Sequence, residues 1–320
     1  MAFGMRRLCS TLSSLVGAPS HLEVAALGAD RGRGVRCTRA LQRGEVVLSA
    51  KPIGRAYTAW PSTINSKDEL CEVCARPRSG GDRPGLPQCA LPCARVASPG
   101  SVEATTAKLI RQCDWSALER THREDGRKFP IIIGSILART LVELHIGYKA
   151  SPTMTLLGQL CFAELLPGAG DVTSAGDSEV EDLAALLAAE HCALLDVFAK
   201  AGVVSAAAEL EGLFPLEAYV RALGALQLNA FEVHSANGVT FSAILGGPAS
   251  FFNHTCEPSL LVRPGEGSGE TQFVAAADVA VGEELCISYI DVEQSGVARR
   301  RALHEKYGFA CKCRRCGAEE

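Results

Sequence analysis

No stretch of the 320-residue sequence is apolar over the length a membrane-spanning helix requires, which excludes an integral helical membrane protein. A hydrophobic signal core is missing as well, so the 14 cysteines, several in metal-like spacings, point to a reducing compartment and not to a disulfide framework. Nor is charge of one sign in excess. The 32 Lys and Arg against 36 Asp and Glu leave a net charge of −4, which argues against broad, non-specific nucleic-acid binding. The basic residues that do gather, Arg299 to Arg301 and Lys312, Arg314 and Arg315, read as a solvated helix face and as spacers between cysteines. Acidic residues are absent before Glu23. With Arg6, Arg7 and several Ser and Thr, residues 1–20 have the composition of an organelle transit peptide; the alternative is a disordered or weakly helical tail, and both lie outside the fold.

The chemistry is concentrated between Ser250 and Cys316, in the segments SFFNHTCEPS, GEELCISYID and RRRALHEKYGFACKCRRC. Cys311, Cys313 and Cys316 form a CxCxxC cluster one ligand short of a tetrahedral zinc site, and Cys256 is the best candidate for the fourth thiolate. A metal shared by the four folds the end of the chain back over Asn253 and His254 and closes a pocket. The competing reading is a redox or unpaired thiol cluster in a loose tail. In ELCISYI, Leu285, Ile287 and Tyr289 alternate with Cys286, Ser288 and Ile290, which predicts a strand covered on both faces. A tyrosine in such a place is ordinarily core, its hydroxyl needing one partner.

Taken together, in this order, the segments resemble the SET domain of lysine methyltransferases. NHTCEPS is similar to the NHSCxPN motif, GEELCISYID to GEELxISYxD, and YGFACKCRRC to the post-SET zinc knuckle; over residues 21–60 and 226–316 the resemblance is to the SET and MYND domain (SMYD) family. That resemblance implies S-adenosylmethionine as methyl donor and a lysine amine entering by an aromatic channel from the opposite face. Methyl transfer is then an in-line displacement that needs positioning and the exclusion of water, with no covalent intermediate. By the same resemblance Tyr289 is the catalytic residue, orienting methyl and amine through polar and weak C–H···O contacts. Phe231, Tyr289 and Tyr307 line the channel. Arg31, Arg33, Asn229, Ser250, Asn253, His254 and Phe309 contact the donor, His254 chiefly through its backbone and Phe309 near the adenine. Two departures are visible: Arg33 stands where the family often has Asn, and Ser259 where the motif ends in Asn, although a serine hydroxyl can make one of the amide's hydrogen bonds.

Residues 21–60 read as the N-terminal part of the SET fold, with strands in HLEVAAL and EVVLSA around the glycine-rich turn ADRGRGVRC. Residues 61–128 carry Cys71, Cys74, Cys89 and Cys93, spaced as a closed four-thiolate zinc site. By resemblance they are the first half of a MYND module whose second half is missing, a degenerate insert with one structural zinc; the alternative is an unliganded loop. Cys113 has no assigned role. Residues 129–225 read as a helical insert, with helices over 129–147 and 181–202 and a third from Pro215, and a polar acidic loop between the first two. His145 and His191 read as ordinary helix residues. Residues 226–292 form the C-terminal catalytic part, opening on FEVHSA and VTFSAIL about an Asn237-Gly238 hairpin turn. Residues 293–320 form the post-SET knuckle, preceded by a helix ending at Tyr307. Most SMYD proteins continue into a C-terminal helical domain that this sequence lacks, and the expectation is a more open peptide site.

The fold expected is therefore α+β: a SET-domain β fold of several short sheets, interrupted by a zinc-binding insert and a helical insert, with a post-SET zinc knuckle. The function expected is S-adenosylmethionine-dependent protein-lysine N-methylation, the alternative being a catalytically inactive SET-scaffold interaction protein. Expected partners are a histone or non-histone protein lysine, with no membrane, no direct sequence-specific nucleic-acid binding and a monomeric state. The compartment expected is nuclear or cytoplasmic, or mitochondrion or plastid if residues 1–20 are a transit peptide.

Overall fold

A computed structural model describes residues 13–14, 16–29, 31–59, 101–165, 177–203, 207–234, 239–265 and 270–319. In chain order these form β1 (Leu22–Ala26), β2 (Arg33–Cys37), β3 (Val46–Ala50) and β4 (Pro52–Ala59). Seven helices follow among the described residues: α1 (Val102–Gln112), α2 (Ser116–Asp125), α3 (Phe129–His145), α4 (Pro152–Gln159), α5 (Asp177–Lys200), α6 (Ala207–Leu213) and α7 (Leu216–Asn229). Then come β5 (Phe231–His234), β6 (Thr240–Leu245), a 3-10 turn (Gly247–Phe251) and β7 (Asn253–His254). The chain closes on β8 (Leu260–Pro264), β9 (Thr271–Ala275), β10 (Glu284–Ile287), α8 (Gly296–Tyr307) and α9 (Arg314–Ala318). The fold is α+β with three short sheets among the described residues. It divides into two compact units, Met1–Lys51 with Leu245–Glu320, and Pro52–Ile244.

The first unit brings the two ends of the chain into one sheet of order β1-β2-β10-β7. β1 and β2 pair antiparallel from Leu22↔Cys37 to Ala26↔Arg33, as the apolar alternation of LEVAA predicts, with Leu22 and Val24 buried. β10 pairs antiparallel with β2 and parallel with β7, matching Cys286 to Asn253 and Ile287 to His254. β3, β9 and β8 form a separate antiparallel sheet.

The second unit carries the sheet β4-β6-β5 and the helices α1 to α7. α3 starts with Pro130 in its first turn and buries Ile132, Ile133, Ile136 and Leu137; of the stripe expected from helical spacing, Ile133, Leu137, Leu141 and Leu144, the first two are buried and the last two only partly so. β5 and β6 pair from Phe231↔Ala243 to His234↔Thr240. His191 is buried, its Nε2 2.8 Å from the carbonyl of Phe214, as befits a satisfied helix residue.

Four expectations change. The C-terminal part of the expected insert is helical, over α1 and α2, with Ser101 accepting from Ala104 N–H as N-cap and Trp115 stacked edge-on against Phe198 at 5.7 Å. Its buried face is made of small residues such as Thr106 and Ala107, which weakens the apolar signal. α4 is an additional helix, started by Ser151, between the two helices read from the sequence. The strand expected through Tyr289 ends at Ile287. Residues 1–20 were expected to lie outside the fold, but their described part belongs to it: Val16 is buried, Ser13 Oγ accepts from Val24 N–H at 2.9 Å and the Ser20 carbonyl accepts from Thr38 Oγ1 at 2.9 Å. The expectations for residues 1–12, for Cys71, Cys74, Cys89 and Cys93, and for the Asn237-Gly238 turn lie outside the described residues.

Candidate functional site

Tyr289 leaves β10 because the chain bends immediately after the strand, where Ser288 Oγ donates to the carbonyl of Ile290 at 2.7 Å. The parallel pairing of β7 with β10 sets the Asn253-His254 pair beside that bend. Tyr289 is half-buried and anchored twice: its backbone N–H donates to His254 Nδ1 at 3.0 Å and its hydroxyl donates to the carbonyl of Phe252 at 2.7 Å. From the other direction α8 delivers Tyr307, ends at Gly308 in the left-handed conformation (φ 72°), and turns Phe309 back. The Tyr289 and Tyr307 rings lie 4.9 Å apart at 45°, and Phe309 stands edge-on to Tyr289 at 6.5 Å. His254 completes the corner, 5.4 Å from Tyr289 and 6.0 Å from Phe309.

Behind this corner the sulfurs of Cys256, Cys311, Cys313 and Cys316 all lie within 4.8 Å of one another. Cys256, Cys311 and Cys316 are buried with Leu303, and Tyr289, Tyr307 and Phe309 pack against the cluster. Four thiolates in so small a volume fit a tetrahedral zinc ion, which would tie the Tyr307–Phe309 segment to the Asn253-His254 turn. In the protein alone the sulfurs are unlike one another. Burial, then the neighbouring Cys316 thiol, pushes Cys256 up to about 12. Burial also opposes the Cys313 thiolate, yet hydrogen bonds from the backbone and from neighbouring thiols bring it down to about 6. Metal binding would therefore release protons. Burial first, then the cations Arg31 and Arg299, hold His254 down at about 4, so its ring is neutral at pH 7. With Nδ1 accepting from Tyr289, the proton sits on Nε2, 3.4 Å from the Cys256 sulfur.

On the other side of β7 the residues expected to hold the methyl donor meet. Asn253 Nδ2 donates to the carbonyl of Arg33 at 3.0 Å and to Glu284 Oε1 at 2.9 Å, and Arg31 pairs with the same carboxylate at 2.7 Å. Arg33 lays its guanidinium over the Phe251 ring at 5.1 Å. Gly34 is required here: a Cβ would come within 2.8 Å of Asn253 Nδ2 and 3.0 Å of Glu284 Oε1. Ser250 Oγ is buried with no hydrogen-bond partner among the described residues. A buried hydroxyl without a partner fits a site that receives a polar ligand.

Asn229 and Phe231 belong to the second unit. Asn229 Nδ2 donates to the carbonyls of Cys161 and Ala225, both at 2.8 Å, and Phe231 opens β5 opposite Ala243. Ser259, the departure from the family motif, accepts from Cys286 N–H at 2.9 Å. The basic run was read as solvated, but Arg299 is completely buried, so for that residue the reading is corrected. The signal for it lay in the i, i+4 spacing of Arg299 from the apolar Leu303, which puts both on the inner face of α8. Glu284 went unnoticed as the carboxylate that organises Arg31 and Asn253, because its partners are distant in sequence.

The family model described as "SET domain" matches residues 32–290. The histone-lysine N-methyltransferase ASHR2 of Arabidopsis thaliana is 26% identical over 305 residues, covering 93% of this chain and 72% of that protein. The histone-lysine N-methyltransferase ATXR4 of the same organism is 25% identical over 306 residues, covering 89% and 83%. A SET and MYND domain-containing protein of Dictyostelium discoideum is 24% identical over 279 residues, covering 81% and 74%.

Proposed function

The chain belongs to the SET domain family, and on that footing we propose that it is a protein-lysine N-methyltransferase that uses S-adenosylmethionine, with Tyr289 at the point of transfer. The observation that carries this reading is the corner where Tyr289, Tyr307 and Phe309 meet beside the Asn253-His254 turn, braced by four cysteines. S-adenosylmethionine supplies an electrophilic methyl group on a sulfonium. Ser250, Asn253, Arg31, Arg33 and Phe309 would hold it, His254 through its backbone. The aromatic walls keep water from the reacting amine and hold that amine neutral by desolvation. Tyr289 donates its hydroxyl hydrogen bond to the carbonyl of Phe252, which leaves the oxygen's lone pairs as acceptors, the role that a methyl C–H and an amine N–H both require.

Two of the relatives carry histone-lysine in their names, and histone lysines are the first substrates to test, other protein lysines the second. The roles of Asn229 at the donor and Phe231 in the channel rest on the family resemblance. A second zinc on Cys71, Cys74, Cys89 and Cys93 belongs to the same proposal and calls for two metal equivalents per chain. We place the protein, as a monomer that does not read nucleic-acid sequence, in the nucleus or cytoplasm, or in an organelle if residues 1–20 direct it there. Titration calorimetry with S-adenosylmethionine tests the core of this: one binding site is expected, and the absence of binding would favour a non-catalytic scaffold.

A further inference from the structure

β7 is two residues long, and its parallel ladder with β10 closes where Thr255 N–H donates to the carbonyl of Ile287 at 3.0 Å. Beyond that bond the chain bends, and a backbone N–H in the covered corner still needs an acceptor. For Tyr289 the acceptor is a side chain, His254 Nδ1 at 3.0 Å. His254 is 3% exposed, with its ring against Tyr289 at 5.4 Å and Phe309 at 6.0 Å. A backbone N–H can only donate, so Nδ1 carries no proton and the imidazole holds its one proton on Nε2. That nitrogen lies 3.4 Å from the Cys256 sulfur, within reach of an N–H···S hydrogen bond whether or not the sulfur carries a metal. Both ring nitrogens are therefore committed, one to the tyrosine and one to the cysteine cluster. The hydroxyl of Tyr289 is held by the Phe252 carbonyl at 2.7 Å, so a single segment, Phe252 to Cys256, clamps the tyrosine at its backbone and at its tip and is itself tied to the cysteines.

We propose that the His254 side chain is a positioning residue for methyl transfer: it takes over from the β7–β10 ladder as acceptor for Tyr289 N–H and, braced by the Cys256 sulfur, fixes where the tyrosine stands. This role belongs to the imidazole and is separate from the backbone contact of His254 with the methyl donor. Its consequence for turnover rests on Tyr289 acting at the point of transfer, whereas the two hydrogen bonds do not. The arms of the ring can be separated chemically. Asn carries its amide oxygen on Cγ, as His carries Nδ1, and so retains an acceptor for Tyr289 N–H; Gln places its amide one atom further out, towards the position of Nε2 and the sulfur. A histidine that only fills space would respond alike to both substitutions.

The test uses the full chain labelled with nitrogen-15 in its seven histidines and five tyrosines, His254 and Tyr289 being assigned by substitution. In wild type the ring nitrogen shifts should show His254 as the Nε2–H tautomer, with a scalar coupling across the hydrogen bond joining Nδ1 to the Tyr289 amide. Exchange of the Tyr289 amide with deuterium should quicken at least about tenfold in His254→Gln and stay within about threefold of wild type in His254→Asn. Turnover should follow the same order, His254→Gln losing about tenfold or more through displacement of Tyr289. The Nδ1–H tautomer in wild type, equal exchange in the two variants, or faster exchange in His254→Gln with turnover unchanged would each overturn the proposal. Should His254→Gln not fold, the wild-type tautomer and coupling decide. Failure of the lysine-methylation reading looks different: wild type would then show the coupling and the slow exchange and yet transfer no methyl group.

Discussion

Ser259 Oγ accepts the backbone N–H of Cys286 at 2.9 Å and lies 3.4 Å from the Cys286 carbonyl, so one hydroxyl fastens the turn after β7 to the middle of β10. The family motif uses an asparagine at this position, and the serine retains the hydrogen bond on which the alignment of the two strands depends.

Replacing Ser259 by Ala leaves the Cys286 N–H without its side-chain partner at a residue that is only 6% exposed. Denaturant unfolding should show a loss of about 1–3 kcal/mol, the cost of a buried unsatisfied group, and Ser259→Asn should recover most of it.

A methyl group at Gly34 would sit 2.3 Å from Leu27 Cδ1 and 2.8 Å from Asn253 Nδ2. Gly34→Ala should therefore cost about 1–3 kcal/mol by overpacking and, by displacing Asn253, weaken S-adenosylmethionine binding by about tenfold or more in calorimetry, one power of ten corresponding to about 1.4 kcal/mol.

Much of this was readable in the letters. The CxCxxC triplet is a local spacing that a tetrahedral site leaves one ligand short, which is what drew in the distant Cys256, and the strands β1, β3, β5 and β6 follow their apolar patterns. The parallel pairing of β7 with β10 was not readable, since two residues make that strand and its partner lies more than thirty positions away. The end of β10 was missed because the bend depends on Ser288 bonding locally to Ile290, which an alternating pattern does not encode. Arg299 is buried against the expectation because charge outweighs spacing when a helix face is judged from composition, while its guanidinium finds partners beyond the helix, the Gln294 carbonyl and Glu319, that composition does not show.

Cys113 is buried, and burial alone pushes its thiol up to about 11 from an ordinary 9.0. At pH 8 only about one molecule in a thousand carries the thiolate there, so a thiolate-selective reagent should label the exposed Cys161 and Cys192 and spare Cys113, read by peptide mass spectrometry. The folded state holds this proton more tightly than the unfolded one. Its contribution to stability is therefore present below pH 9 and declines as pH rises from 9 through 11.

Chelation of the metal should release the segment beyond Gly308, because the sulfurs are what join it to Cys256. Trypsin should then cut at Lys312, Arg314 and Arg315 at least about tenfold faster, with zinc restoring protection, since folding of such a segment is coupled to metal binding.

The central claim is that Tyr289, held through Phe252 and His254, directs methyl transfer to a lysine amine. Isotope-labelled S-adenosylmethionine is incubated with the wild-type chain or Tyr289→Phe and a cell lysate, and labelled peptides are identified by mass spectrometry, with donor binding measured in parallel. Wild type should place label on lysine Nζ, and Tyr289→Phe should lose about a hundredfold or more in rate, roughly 3 kcal/mol of barrier, with donor affinity within a few-fold. Label on no lysine, or equal transfer by the two proteins, would contradict the account.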